Sequence, residues 1–143
     1  MGYKILIVED VPWEARLVDE ILREAGLDCQ LVHADRLDAA VSRLLAEHFD
    51  AVLLDLSLPD SRGLETVICM CAIVPDTPVL VLTGIEDGDM RREVLRLGAQ
   101  DYLIKGEVDG WGLARAIDDA RNRKHAEPRV QRQKELMGMA PPA

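Results

Sequence analysis

The sequence predicts an α/β fold: a three-layer, doubly wound, five-stranded parallel sheet with helices on both faces. Three observations lead there. Short apolar runs alternate five times with segments of helical periodicity. Three of those runs, at Ile5-Leu6-Ile7-Val8, Ala51-Val52-Leu53-Leu54 and Val79-Leu80-Val81-Leu82, are apolar at both alternating positions, as strands covered on both faces must be. Each run is followed by a segment long enough for a crossover helix, and right-handed crossovers divide those helices between the two faces.

The elements follow in order along the chain. The first strand ends at Glu9-Asp10, and Pro12 opens a helix, a position that suits its missing N–H. Leu17, Val18, Ile21, Leu22 and Ala25 share a face of that helix, and Gly26 stops it. Cys29 to Val32 is a second, weaker strand. Asp35 or Asp38 is placed to cap a second helix carrying Leu37, Val41, Leu44 and Leu45. The third strand ends at Asp55 and is followed by the loop Ser57-Leu58-Pro59-Asp60-Ser61-Arg62-Gly63. A third helix runs from about Leu64 to Val74, before Pro75. The fourth strand ends at Thr83-Gly84, and a polar helix carrying Met90, Val94, Leu95 and Leu97 is closed by Gly98. Asp101 to Ile104 is the fifth strand, ending at Lys105-Gly106. The fifth helix carries Trp111, Leu113, Ala114, Ile117 and Ala120; Gly110 and Gly112 leave its start open, and Pro128 is expected to break it near Glu127.

The 143 residues suit one domain, which residues 1–125 are expected to form. The net charge of −9 is uneven. Residues 1–120 carry 11 Lys and Arg against 24 Asp and Glu, whereas residues 121–143 carry 6 against 2. An acidic body argues against DNA as a direct partner. Residues 126–143 form a basic tail, with disorder and a short docked helix both open. No apolar run approaches the length of a membrane span, and three unpaired cysteines with no signal peptide point to the cytoplasm. Cys69 and Cys71 are spaced to face different sides of a helix and read as buried, inert thiols.

In an open parallel sheet, ligands bind beyond the carboxyl ends of the strands. Those ends carry Glu9, Asp10, Asp55, Thr83 and Lys105. Three crowded carboxylates repel one another and call for a hard cation such as Mg²⁺ and for a lysine. Asp55 beside Mg²⁺ is equipped to form an aspartyl-phosphate, with Lys105 and Thr83 on the phosphoryl oxygens. Trp13, three residues after Asp10, is expected on the rim.

This constellation resembles the receiver domain of two-component response regulators over about residues 3–124. It comprises Glu9-Asp10, Asp55 with Pro59 and Gly63 beyond it, Thr83-Gly84, and Gly98-Ala99-Gln100-Asp101-Tyr102-Leu103-Ile104-Lys105. The resemblance implies the flavodoxin-like strand order 2-1-3-4-5. It implies Asp55 as phosphoacceptor, Asp10 as direct Mg²⁺ ligand, Glu9 as the acid holding metal-bound water, and the carbonyl of Ser57 as a further ligand. Thr83 becomes the switch hydroxyl, Lys105 the phosphate-pairing lysine, and Tyr102 the aromatic that turns inward on phosphorylation. The donor would be a phosphohistidine on a sensor histidine kinase or phosphotransfer protein, and the output a downstream protein contact. Dimers of similar proteins form through the fourth helix, fifth strand and fifth helix. Such a protein catalyses its own phosphorylation and dephosphorylation without being a turnover enzyme.

Two departures from the pattern stand out. The acid pair is Glu-Asp where Asp-Asp is commoner. Lys105 precedes Gly106 where many receivers have proline, so the bond is either cis or the loop is rebuilt. Three other functions compete. A small phosphohydrolase would need a second Asp at position 57, which is Ser. A phosphorylation-independent adaptor would lack part of the site. A receiver belonging to a larger multidomain regulator or hybrid kinase would have the same site as the stand-alone receiver expected from a chain of this length.

Overall fold

Apolar content decides where each strand sits. In a computed structural model, which describes residues 2–136, the strands are β1 (Tyr3–Val8), β2 (Cys29–Ala34), β3 (Ala51–Leu54), β4 (Val79–Thr83) and β5 (Asp101–Ile104). They form one parallel sheet in the order β2-β1-β3-β4-β5. The three doubly apolar runs are its three inner strands, with β3 and β4 buried along their whole length. The more polar β2 and β5 take the edges, where one side of the ladder is free.

The helices are α1 (Pro12–Glu24), α2 (Leu37–Ala46), α3 (Leu64–Ile73), α4 (Gly88–Arg96) and α5 (Gly110–Leu136). Alternation along the strands splits the core in two. Ile5, Ile7, Leu53 and Leu80 meet Val18 and Leu22 of α1 and Leu113 and Ile117 of α5. Leu6, Val8, Leu54 and Val81 meet Ala40 of α2, Val67 and Met70 of α3, and Val94 of α4. Each fully buried side chain of this size contributes about 1.5–3 kcal/mol, so both faces are needed to hold the sheet.

Three local expectations are corrected, and one left open is decided. Neither Asp35 nor Asp38 caps α2. The carboxylate of Asp60, from the loop after β3, accepts from the backbone N–H groups of Leu37 (2.8 Å) and Asp38 (2.9 Å), so the cap comes from 22 residues away. Helix α5 does not break near Glu127. It runs through Pro128, which has no N–H to donate, and on to Leu136. Residues 126–136 are thus continuous with α5, and the rest of the expected tail lies outside the described residues. Cys69 and Cys71 are free but half-buried rather than fully buried. Among the described residues no peptide bond is cis: the Lys105-Gly106 bond is trans, and Gly106 takes φ +85°, a left-handed conformation that costs glycine little. The loop is therefore rebuilt around the glycine.

Gly110 has a different reason. A Cβ there would lie 2.3 Å from the carbonyl oxygen of Ile21, so the start of α5 packs directly on the backbone of α1. Gly110→Ala should therefore destabilise the protein by about 1–3 kcal/mol despite alanine's better helix propensity, as measured by urea unfolding. Unchanged stability would show that the two helices separate freely.

Candidate functional site

Strand register assembles the site. Val8 pairs with Leu54, so the next residues, Glu9 and Asp55, emerge side by side. The Asp55 N–H donates to the Val8 carbonyl (3.0 Å) and the Glu9 N–H to the Ala34 carbonyl (3.0 Å). On the other side Thr83 pairs with Ile104, and the Lys105 N–H donates to the Thr83 carbonyl (2.7 Å). The five strand-end residues singled out in the sequence meet, with Ser57, around one open cleft of about 480 Å³.

Glu9 and Asp55 are buried and Asp10 is exposed. Each offers a carboxylate oxygen, and these three oxygens lie within 4.8 Å of one another. Hard oxygen donors in that number suit a divalent cation with part of its shell left to water. The Ser57 N–H donates to Asp55 Oδ1 (3.3 Å), which orients the carboxylate. Lys105 reaches in from the far side. Its Nζ donates to Glu9 Oε2, to Glu14 Oε2 (2.8 Å) and, at 3.5 Å, to Asp55 Oδ2.

Electrostatics follow from this crowding. Burial pushes the Glu9 carboxyl up to about 7, with the charge of Asp55 acting the same way against the opposing pull of Lys105. Burial alone would lower the Lys105 ammonium, but its bonds to Glu14 and Glu9 and the charge of Asp55 push it up. The Lys105 contact lowers Glu14. The ammonium thus stays charged, and the strain of the cluster falls on Glu9.

Thr83 and Tyr102 share a partner. The Thr83 hydroxyl accepts from the Ile85 N–H (3.3 Å), and the Tyr102 hydroxyl donates to the Ile85 carbonyl (2.7 Å). Tyr102 is buried, behind the cleft rather than in it, with the Arg91 guanidinium 5.0 Å from its ring centroid. Trp13 is exposed and lines an adjoining apolar cavity with Glu14 and Lys105, so it borders the site without entering it.

Three residues near the site were not read from the sequence. Glu14 is a third carboxylate on Lys105, and its signal was a spacing of four from Asp10 at a helix start. Arg62 lines the cleft with no pattern to announce it. The His33 ring nitrogen lies 2.5 Å from the Glu9 carbonyl oxygen, a contact across β1 and β2 that depends on register.

The described family model for the response regulator receiver domain matches residues 5–117, and the chain belongs to that family. Regulatory protein LuxO of Vibrio vulnificus is 35% identical over 99 residues, covering 69% of this chain and 21% of that protein. The DNA-binding transcriptional activator DevR/DosR of Mycobacterium tuberculosis is 31% identical over 117 residues, covering 81% of this chain and 53% of that protein. The chain thus spans between a fifth and about half of the length of these relatives. Among solved structures, the CheY-like receiver domain protein of Methanospirillum hungatei shares the fold with a TM-score of 0.74 at 24% identity, over 89% of this chain and 99% of that one. The receiver domain of a LuxO repressor from Vibrio parahaemolyticus gives 0.77 at 22%, over 91% and 98%.

The raised Glu9 value has a measurable sign. Below about 4.5, Glu9 is protonated in folded and unfolded protein alike. Between that value and about 7 the folded protein binds more protons than the unfolded chain, so stability falls as pH rises. In chelator, the wild-type unfolding free energy should fall relative to that of Glu9→Gln by about 1–3 kcal/mol between pH 4.5 and 8. Parallel pH curves for the two proteins would contradict the burial account.

Proposed function

We propose that this receiver is the phosphoacceptor of a two-component signalling step, taking a phosphoryl group from a phosphohistidine onto Asp55. The observation that carries the reading is the placement of Asp55: buried at the cleft floor, within 4.8 Å of the Glu9 and Asp10 oxygens, with the Lys105 ammonium 3.5 Å away.

A carboxylate oxygen of Asp55 attacks the phosphorus in line with the leaving nitrogen. The P–O bond forms as the P–N bond breaks, and the imidazole nitrogen keeps the electron pair and takes up a proton. Lys105 pairs with a phosphoryl oxygen and offsets the arriving charge. Mg²⁺, held by Asp10, Asp55 and the Ser57 carbonyl, with Glu9 holding a metal-bound water, would supply the remaining neutralisation of the phosphoryl oxygens. Hydrolysis of the same acyl-phosphate by water returns Asp55 and inorganic phosphate.

The Thr83 hydroxyl turns toward a phosphoryl oxygen and gives up Ile85. Since Tyr102 holds the other end of Ile85, the rearrangement passes to the face formed by α4, β5 and α5. That face is the proposed contact for a downstream protein or a second copy. The donor is a sensor histidine kinase or phosphotransfer protein, and the reading places the protein in the cytoplasm; among the described residues no helix is long and apolar enough to cross a membrane. The chemistry at Asp55 is the same in a stand-alone receiver and in the receiver of a longer regulator; only the output differs.

With Mg²⁺ and acetyl phosphate, the intact mass should rise by one phosphoryl group, and Asp55→Asn should abolish the gain. Thr83→Ala should still be phosphorylated but lose the accompanying NMR shift of Ile85 and Tyr102. An unmodified wild type, or modification that survives Asp55→Asn, would overturn the assignment.

A further inference from the structure

Lys105 is shared unequally. Its ammonium has three N–H donors and three carboxylates around it, yet it lies closer to Glu9 and to Glu14 (2.8 Å) than to Asp55 (3.5 Å). Glu14 comes from the first turn of α1. An acidic residue there is favoured by the helix dipole alone, and that role would leave its carboxylate in water. Instead the carboxylate is about a quarter exposed and turned onto Lys105.

The surroundings make this contact breakable. Glu14 and Lys105 both line the cleft that holds Asp55, and both also line the adjoining cavity of about 250 Å³ with Trp13, Leu17 and Leu113. The Glu14 carboxylate thus sits at the rim of both, about a quarter exposed, with water within reach if it leaves Lys105.

We propose that Glu14 is a positioning residue that holds the Lys105 ammonium toward α1 and off Asp55, and so sets how tightly the site takes a phosphoryl group. This inference rests on the reading of Asp55 as phosphoacceptor. A phosphoryl group on Asp55 competes with Glu14 for one ammonium. When it wins, Lys105 moves toward the phosphoryl oxygen and the Glu14 carboxylate, already about a quarter exposed, turns out into water. Glu14 thus acts on the phosphorylated state only through Lys105, which distinguishes it from a residue that merely starts a helix.

The test is calorimetric titration with beryllofluoride, a phosphoryl mimic for aspartate, in saturating Mg²⁺, alongside titration with Mg²⁺ alone. Glu14→Gln and Glu14→Ala should each bind beryllofluoride about threefold to fivefold more tightly than wild type, the range expected for one partly exposed ion pair. The ratio of beryllofluoride affinity to Mg²⁺ affinity should rise with it, which a helix-capping role would not produce. In a Lys105→Ala background, Glu14→Gln should have no further effect, closing a double-mutant cycle. Unchanged or weaker beryllofluoride binding by the Glu14 variants, or an effect that persists without Lys105, would overturn the role of Glu14. Failure of the wild type itself to bind, or binding that survives Asp55→Asn, would instead overturn the phosphoacceptor reading.

Discussion

One ammonium among four carboxylates is the constraint on which the site depends. The oxygens of Glu9, Asp10 and Asp55 stand within 4.8 Å of one another, and Glu14 joins them on Lys105. At that limit each pair of charges repels by about 3 kcal/mol for an effective dielectric of about 20. Lys105 alone offsets part of this, and a proton on Glu9 offsets more when no cation is present. The arrangement is therefore costly at rest. It is complementary to positive charge first, and to a phosphoryl group once that charge has arrived.

The scaffold holds this cluster by register and by burial on both sheet faces. Glu9 and Asp55 are fixed side by side because Val8 pairs with Leu54, both of them fully buried. Lys105 is tied to Thr83 through the backbone, so the lysine and the hydroxyl start from the same edge of the cleft. Opposite them, the close contact of Gly110 with Ile21 anchors α5 on α1, the helix that carries Glu14.

The layout of the domain was legible because its signals are local. A doubly apolar run such as Val79 to Leu82 has one solution in a layered sheet, and the polar residues that end these runs must gather at one edge. What escaped reading depends on contacts distant in sequence. The cap on α2 comes from Asp60, across a loop, so the nearer Asp35 and Asp38 were the natural but mistaken choice. The role of Glu14 needs Lys105, 91 residues away, to become visible. The passage of α5 through Pro128 went against a sound local rule, that a proline inside a helix removes a hydrogen bond and crowds the preceding turn.

The most direct test of this account is thermal unfolding of the chelated protein as Mg²⁺ is added back. If carboxylate repulsion is the dominant strain at the site, the midpoint should climb with the logarithm of Mg²⁺ concentration, and Asp10→Asn should flatten that climb while raising the starting midpoint. A midpoint indifferent to Mg²⁺, with Asp10→Asn no more stable than wild type in chelator, would mean that the carboxylates are already neutralised by the protein and that the cluster is not built to receive a cation.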